Sequence, residues 1–359
     1  MNITIIGGGN IGTQFAVHCA AKGHSVTMYT STPEVFEKHL KIVDENDNVT
    51  HEGDIVCATS DAKQALSEAD AVLITFPANL MQKAADDVYA HCPKQTLIGV
   101  VPGNGGSECV FRKCIERGNT FFSIERVPAV ARLVKKGSVV RSVGYRAQLR
   151  VASLPASEAD RCASLVADIF DIPCEAVPAI LNHTMTPSNP VLHTTRLMTL
   201  FGDYKDGVTY DSLPLFYEEW SDASSELLFK CDAEIQIICR ALPMFDLSYV
   251  KSLKEHYESD TPHKLTEKIR SIKAFKGLKT PYIETASGLI PDLHSRYFTA
   301  DFSYGLSIIV QIAHFAGADV PNLENVQAWY NNIRIEHSEF RYEDYGIMNI
   351  RDFLDLYSL

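Results

Sequence analysis

The chain has 359 residues, 46% of them hydrophobic and 22% charged, with a formal net charge of −12. This length suggests about two domains, and the composition excludes a disordered or collagen-like chain. The acidic balance argues against a nucleic-acid partner, and no apolar run reaches the ~20 residues that span a bilayer, so we expect neither nucleic acid nor membrane as a partner.

The first half alternates short apolar runs with helical periodicity. The helical pattern covers Ile11–Lys22 and ends at Gly23. Near-continuous apolar runs predict strands that are buried on both faces of a parallel sheet. These strands are Asn2–Ile6, His24–Thr30, Ile55–Ala58, Ala71–Phe76 and Thr96–Val101, followed by weaker ones at Thr120–Glu125, Ser138–Tyr145 and Arg150–Ser153. A further helix is predicted at Ala159–Phe170.

After about residue 180 the signals become helical. The predicted helices are Ser224–Ala241, His263–Phe275, Ser303–Ala316, Val326–Glu336 and Ile350–Leu356. We therefore predict an α/β protein with two domains: a Rossmann-type parallel sheet over residues 1–180 and an all-helical domain over residues 181–359.

A glycine-rich turn follows the first predicted strand and opens the first helix. It reads Gly7-Gly8-Gly9-Asn10-Ile11-Gly12, a G-x-G-x-x-G pattern in the strand–helix context of a dinucleotide site. Gly7 allows the tight turn, Gly9 lets the backbone approach a pyrophosphate, and Gly12 lets the helix pack on the strand. The alternative is a plain glycine-rich turn. The expected cofactor-binding residues are Gly7, Gly9, Asn10, Ile11, Gly12, Thr30, Pro77 and Asn104.

The end of the second predicted strand bears on the choice between NAD and NADP. An acid there binds the ribose 2′-hydroxyl of NAD, but this strand ends in Thr30-Ser31-Thr32. Three hydroxyls suit a 2′-phosphate, although no arginine adjoins them and Lys38 is the nearest cation in the sequence. NADP is slightly favoured, and NAD or dual use stays open. Pro77 and Asn104 follow the next two strands and either shape the nicotinamide pocket or simply end those strands.

The cysteines and histidines give no sign of a metal. The nine cysteines are scattered and form no C-x-x-C motif, which is typical of small buried hydrophobic residues. No histidine has the spacing of a zinc site, so we expect no metal. The N-terminal sequence has no basic region and no small-residue cleavage site, which leads us to expect a cytoplasmic protein.

Two segments of the second half carry the catalytic candidates. The first runs from Ser188 to Thr195 and contains an N-x-x-x-H motif, Asn189 to His193. The second runs from His294 to Leu306; in it Asp301 follows Arg296 after four residues, and Gly305-Leu306 comes after a short spacer. Both segments resemble those of the octopine/nopaline (opine) dehydrogenase family, and the resemblance covers essentially the whole chain. Two positions depart from the family pattern: Ala300, where an acid is common, and Thr30.

The resemblance implies a Rossmann domain, a helical domain and a reductive condensation. An amino acid adds to a 2-oxo acid such as pyruvate, water is lost, and NAD(P)H reduces the imine. This chemistry needs a proton shuttle, a group that orients the shuttle and a cation for the oxo acid's carboxylate. His193, Asp301 and Arg296 suit these three roles. Asn189 and Arg132 are further substrate-binding candidates. For Arg132 the reason is that the family often has an arginine near this position.

Each candidate also has a structural alternative. His193 suits a satisfied core histidine, Asp301 a helix cap near Ser303, and Arg296 a structural ion pair. An aromatic cluster either lines an amino-acid pocket or, the favoured alternative, packs in the core; it comprises Phe201, Tyr204, Tyr210, Phe216 and Tyr217.

Alternative functions stay open as well. One is a 2-oxo acid reductase of the ketopantoate or 6-phosphogluconate type, which uses a lysine that we do not find in a comparable motif. Another is a dinucleotide sensor without turnover. A third is the synthesis of a metal-chelating opine, with an exporter as partner. We expect small-molecule substrates as partners, and a homodimer is one open form of assembly.

Overall fold

The computed structural model describes residues 1–186, 189–335 and 338–358. It divides into two compact units, which we call unit 1 and unit 2. Unit 1 comprises Met1–His183 together with the chain from Leu354 onward, and unit 2 comprises Thr184–Phe353.

Unit 1 contains twelve strands among its described residues. They are β1 Asn2–Ile6, β2 Ser25–Tyr29, β3 His39–Val43, β4 Val49–Asp54, β5 Cys57–Thr59, β6 Ala71–Ile74, β7 Leu97–Val100, β8 Thr120–Ile124, β9 Val130–Lys135, β10 Val139–Val143, β11 Leu149–Leu154 and β12 Cys174–Ala176. Its helices are α1 Asn10–Ala21, α2 Ala62–Leu66, α3 Met81–His91, α4 Ser107–Val110, α5 Arg112–Glu116 and α6 Ala159–Phe170, and α7 Leu181–Thr184 crosses into unit 2.

The main sheet has eight strands in the order β12-β11-β8-β7-β6-β1-β2-β5. The six strands from β5 to β8 are parallel, β11 runs antiparallel to β8, and β12 is parallel to β11. The chain builds outward from β1 through β2 to β5 and then restarts beside β1 with β6. This reversal is the switch point of a Rossmann sheet, so the predicted fold is confirmed. Every residue of β6 and β7 is buried, because helices cover both faces.

A second sheet, β4-β3-β10-β9, was not predicted from the sequence, except that β10 lies in a predicted strand segment. Its strand β4 alternates between exposed and half-buried residues and has no apolar run to reveal it. The sheet packs against α1, since Gly53 of β4 lies so close to Ala20 that a Cβ at residue 53 would stand 2.7 Å from the Ala20 Cβ.

Unit 2 is mainly helical. Its helices are α8 Asn189–Phe201, α9 Asp222–Ala241, α10 Leu253–His256, α11 Pro262–Ser271, α12 Arg296–Thr299, α13 Ser307–Ala316 and α14 Pro321–Ile333, and α15 Ile350–Tyr357 begins in it. The predicted all-helical domain is corrected in one respect, because β13 Tyr282–Thr285 and β14 Gly288–Pro291 form a hairpin. Gly288 closes this turn with a φ of +132°.

The predicted helix Ser303–Ala316 begins as a π-helical turn, Phe302–Leu306, before α13. Two predicted segments reach residues outside the described part of the chain: Ser188 in the first catalytic segment and Glu336 at the end of a predicted helix. No helix in the described ranges is both long enough and apolar enough to cross a membrane.

The last turn of α15 belongs to unit 1, although the sequence analysis assigns it to the helical domain. The Tyr357 hydroxyl donates a 2.5 Å hydrogen bond to the fully buried carboxylate of Glu108. A buried carboxylate requires a hydrogen-bond donor, and the C-terminal helix supplies it.

The nine cysteines are all free, and six of them are buried.

Candidate functional site

The glycine-rich turn joins β1 to α1 in unit 1. The Gly7 amide donates to the Tyr29 carbonyl at 3.0 Å, and Gly7 has a φ of +111°. A Cβ at residue 12 would stand 1.8 Å from the Gly7 carbonyl oxygen, so only glycine lets α1 start this close to the turn. These positions account physically for the first and last glycines of the motif.

Gly9 lies at the N-terminus of α1 and faces open space. A Cβ built there would meet no described atom within 4 Å, whereas one at Gly8 would stand 2.8 Å from the Thr30 hydroxyl and 2.9 Å from Phe36. The first turn of α1 contains no acidic residue that would compete for its free N–H groups. Helix α1 has twelve residues, and its N-terminus is open and carries no acidic side chain. Such a helix N-terminus fits the pyrophosphate of a dinucleotide.

The other predicted cofactor residues follow strands of the same parallel array. Thr30 follows β2, Pro77 comes three residues after β6, and Asn104 comes four residues after β7. Because these strands are parallel, all three residues lie at the carboxyl edge of the sheet, as does the glycine turn.

Two predicted cofactor residues have structural contacts of their own. The Asn10 side-chain oxygen accepts a 2.7 Å hydrogen bond from the Leu133 amide and so ties α1 to β9, which leaves the backbone of Asn10 for a ligand. Ile11 is half-buried and packs against the hydrophobic core. Thr30 lies beside the glycine-rich turn and is only 7% exposed.

In unit 2, α8 places Asn189 and His193 one turn apart on the same face of the helix. Asn189 is exposed and starts the helix, whereas His193 is only 2% exposed. The His193 ring packs against the Tyr297 ring with centroids 4.6 Å apart and against Phe216 at 5.7 Å. The two residues of the N-x-x-x-H motif therefore share a face but differ sharply in burial.

Both nitrogens of His193 are hydrogen-bonded. Nδ1 lies 2.7 Å from the Asp301 carboxylate, and Nε2 lies 2.6 Å from the Tyr217 hydroxyl. A carboxylate only accepts, so Nδ1 carries a proton, and in the neutral ring Nε2 accepts from the Tyr217 hydroxyl. The structure thus brings together the predicted pair His193 and Asp301, which are 108 residues apart in the sequence.

The π-helical turn positions Asp301 opposite α8. The Leu306 amide donates to the Asp301 carbonyl at 2.8 Å, a bond that spans five residues. Gly305 lies against the first turn of α8, where a Cβ would stand 2.6 Å from the Pro190 Cβ. The Asp301 side chain makes no capping hydrogen bond, so the structure assigns it to His193 and not to the cap considered as its alternative.

A buried arginine fixes the segment that carries Tyr217. Arg196, one turn after His193 on α8, donates to the carbonyl oxygens of Phe216 at 3.1 Å and Glu219 at 2.7 Å. Its guanidinium lies over the Trp220 ring, and burial lowers its pKa from 12.5 to about 10. Arg196 was not predicted from the sequence, because nothing local in the sequence shows that its partners are backbone carbonyls.

Tyr217 is 4% exposed and stacks on Phe275 with ring centroids 4.1 Å apart. Burial is the main cause that raises its pKa well above the usual 10, and the electrostatic interaction with Tyr297 raises it further. Tyr217 belongs to the aromatic cluster for which a core role is the favoured prediction. The burial is confirmed, but the hydroxyl contact with His193 was missed.

The two predicted arginines are exposed. Arg296 is the first residue of α12, and its guanidinium has no ion pair within the described part of the chain, so the structure does not support the ion-pair alternative. Arg132 lies on β9 of unit 1 and donates to the Ala131 carbonyl at 2.9 Å.

Among the described residues, no cluster of three or more metal-ligating side chains occurs.

Two family models match the chain. Residues 2–108 match the N-terminus of NAD-dependent glycerol-3-phosphate dehydrogenase, and residues 176–334 match the α-helical domain of NAD/NADP octopine/nopaline dehydrogenase. The fold, the glycine turn and these matches define an oxidoreductase whose cofactor is a nicotinamide dinucleotide.

Relatives of known and unknown activity span nearly the whole chain. An uncharacterized protein of Sinorhizobium fredii is 29% identical over 92% of this chain and 94% of its own length. The tauropine dehydrogenase of Arabella iricolor is 25% identical over 91% and 90%. An octopine dehydrogenase solved with NADH and L-arginine has the same fold, with a TM-score of 0.86 over 99% of this chain and 98% of its own at 22% identity. Residues 176–334 and the full-length relatives therefore make the chain similar to the octopine/nopaline (opine) dehydrogenases.

Proposed function

We propose that the protein catalyses the NAD(P)H-dependent reductive condensation of an amino acid with a 2-oxo acid, acting on a CH–NH bond. The observation that carries the proposal is the buried pair in which the Asp301 carboxylate lies 2.7 Å from His193 Nδ1. Octopine dehydrogenase, which shares the fold, has been solved with NADH and with arginine, agmatine or pyruvate. These ligands are the amine and oxo-acid partners that such a condensation requires.

His193 is the proposed proton shuttle. Its Nδ1–H donates to Asp301, which fixes the tautomer and the ring orientation and stabilises the imidazolium. The proton that the oxo oxygen takes up as water is lost leaves from Nε2, and Nε2 also restores the proton balance when the new secondary amine forms. The bound nicotinamide dinucleotide supplies the hydride.

The proposed substrate-binding residues are Arg296, Arg132 and Asn189. Arg296 is exposed and has no ion pair in the described ranges, so its guanidinium is available for a bidentate contact with the oxo acid's carboxylate. Arg132 is also exposed and donates only to a neighbouring carbonyl. Asn189 shares a helix face with His193, which suits an amide that contacts the same substrate.

For the cofactor, we propose that the protein accepts NADPH at least as readily as NADH. The support is that Thr30, Ser31 and Thr32 replace the acid that would repel a 2′-phosphate. Lys38, the nearest cation in sequence, lies 3.9 Å from Asp54, and its side chain is 75% exposed. Comparing kcat/KM for the two reduced dinucleotides measures this preference directly.

The test is dinucleotide oxidation in a matrix of amino acids and 2-oxo acids, with each partner omitted in turn. We expect oxidation only when both partners are present. His193→Ala should lower kcat by about 10²- to 10⁴-fold without loss of dinucleotide binding, because it removes the proton shuttle. The matched control is His314→Ala, since His314 also pairs with a carboxylate, Glu324 at 2.7 Å, but is 58% exposed.

Other results would replace the proposal. Oxidation with the oxo acid alone indicates a hydroxy-acid reductase. Tight dinucleotide binding with no oxidation in any well favours a sensor. A His193→Ala variant that turns over like the wild type removes His193 from the mechanism.

A further inference from the structure

We infer that His193 exchanges its catalytic proton through the hydroxyl of Tyr217, with the phenol of Tyr297 as the next member of a relay. This inference rests on the proposed function and adds two residues to it. The starting observation is that neither His193 nitrogen is free: Asp301 occupies Nδ1 at 2.7 Å and the Tyr217 hydroxyl occupies Nε2 at 2.6 Å.

The reaction needs a route for protons to a buried group. An ammonium and an oxo acid form an imine and water, and reduction gives a secondary amine that takes up one proton from the medium at neutral pH. His193 is 2% exposed, so water cannot reach its ring freely. Each turnover therefore requires a group that connects Nε2 to the surface or to the substrate.

Tyr217 has the chemistry of such a connector. A phenol both donates and accepts, so it receives one proton while it passes on its own and remains neutral throughout. Burial raises its pKa and keeps it from ionising in the working range. Its ring is held by stacking on Phe275 at 4.1 Å and by the neighbouring Phe216 ring at 4.8 Å, so the hydroxyl stays at Nε2.

Tyr297 extends the route outward. Its ring packs against His193 with centroids 4.6 Å apart, its phenol interacts electrostatically with that of Tyr217, and it is half-buried where Tyr217 and His193 are buried. It directly follows Arg296, the proposed carboxylate-binding residue. The proton path is Tyr297 hydroxyl to Tyr217 oxygen, then Tyr217 hydroxyl to His193 Nε2, while Tyr297 takes a replacement proton from solvent. Each transfer breaks one O–H bond and forms one new bond to hydrogen, so both phenols end neutral. In the reverse direction the same bonds return the proton.

The contact between Tyr217 and His193 is tested without turnover. Ring ¹⁵N chemical shifts of the twelve histidines are recorded by NMR, and the His193 signal is assigned as the one lost in His193→Gln. The relay predicts that Tyr217→Phe shifts the Nε2 resonance of His193, since Nε2 loses its hydrogen-bond partner. An unchanged Nε2 resonance would show that no bond exists in solution and would overturn the inference.

The kinetic test uses Tyr217→Phe, which keeps the stacked ring and removes only the hydroxyl. The relay predicts a kcat lower by roughly 10- to 100-fold with KM values nearly unchanged, and a solvent deuterium effect on kcat that differs from that of the wild type. Tyr297→Phe should act in the same direction but less strongly, because water can replace a half-buried phenol. Tyr145→Phe is the matched control, because it also removes a tyrosine hydroxyl that lies 3.1 Å from a histidine Nε2, that of His18 in unit 1.

The opposite kinetic outcome would contradict the relay. If the substrate displaces Tyr217 from Nε2, then Tyr217→Phe lowers KM and leaves kcat and the isotope effect as they are, and the relay is wrong. Failure of the proposed function looks different: the wild type itself would not oxidise the dinucleotide with both partners present, and the NMR result would still decide whether the Tyr217–His193 bond exists.

Discussion

At the scale of single residues, Arg296 offers the clearest separation of binding from stability. Its guanidinium is exposed and has no ion pair in the described part of the chain. Replacing it with methionine should therefore leave Tm unchanged. It should raise the KM for the oxo acid by about 10- to 100-fold, because a charge-assisted hydrogen bond is worth about 1.5–3 kcal/mol. Steady-state kinetics with the oxo acid varied at saturating amine gives the value.

Arg341→Met is the control for this substitution. Arg341 is also an exposed arginine of unit 2, but it pairs with Asp344 at 2.8 Å. Exposed pairs contribute little, so neither KM nor Tm should change. If Arg296→Met lowers Tm and leaves KM alone, then Arg296 has a structural role.

Residues of the site differ in how far the sequence could reveal them. His193, Asp301 and Arg296 were predicted because they lie in segments that resemble those of the opine dehydrogenase family. The bond from Tyr217 to His193 spans 24 residues and crosses an irregular segment that has no periodicity. What brings the two side chains together is Arg196, which bonds to backbone carbonyls and so leaves no complementary residue type in the sequence.

At the scale of elements, the packing of the π-helical turn on α8 sets the distance between Asp301 and His193. A Cβ at residue 305 would stand 2.6 Å from Pro190 Cβ and 2.7 Å from Pro190 Cγ. Gly305→Ala should push the turn away from α8, cost about 1–3 kcal/mol of stability and reduce kcat by at least tenfold, because Asp301 loses its contact with Nδ1. Chemical denaturation and kinetics on the same samples measure the two effects.

Gly317→Ala separates the loss of stability from the loss of the site. Gly317 ends α13 with a φ of +65°, and an alanine there costs about 1 kcal/mol without a contact to α8. It should lower stability and preserve kcat. Equal losses of kcat in the two variants would mean that Asp301 does not depend on the Gly305 packing.

Elements were predictable where one physical signal dominates. The parallel strands are buried on both faces and appear as apolar runs, and α6 was predicted with the bounds that the structure has, Ala159–Phe170. Strand β4 was missed because its burial comes from α1 and not from its own composition. The π-helical turn was predicted as plain helix, since the side-chain pattern of Phe302–Leu306 does not show which carbonyl each amide bonds to.

At the scale of the whole molecule, the two units should respond oppositely to acid. In unit 1, burial lowers the pKa of His18 to about 3 and that of His183 to about 4, from 6.5. Below pH 6.5 the two histidines are protonated in the unfolded chain but stay neutral in the folded one. The free energy of unfolding therefore falls, by about 2 kcal/mol for each histidine at pH 5. In unit 2, burial raises the pKa of Asp232 from 3.8 to about 6.

For Asp232, acidification changes the free energy of unfolding in the opposite direction. Between pH 6 and pH 3.8 the folded carboxyl holds a proton that the unfolded one releases, so acidification adds about 1 kcal/mol to the stability of unit 2 at pH 5. Hydrogen exchange resolved by peptide, corrected for intrinsic rates between pH 7 and pH 5, should therefore show protection lost first in Met1–His183. The double variant His18→Gln, His183→Asn should flatten the response of unit 1 because its side chains do not titrate in this range. Earlier loss of protection in Thr184–Phe353, or an unchanged response in the double variant, would show that other groups govern the acid stability of the chain.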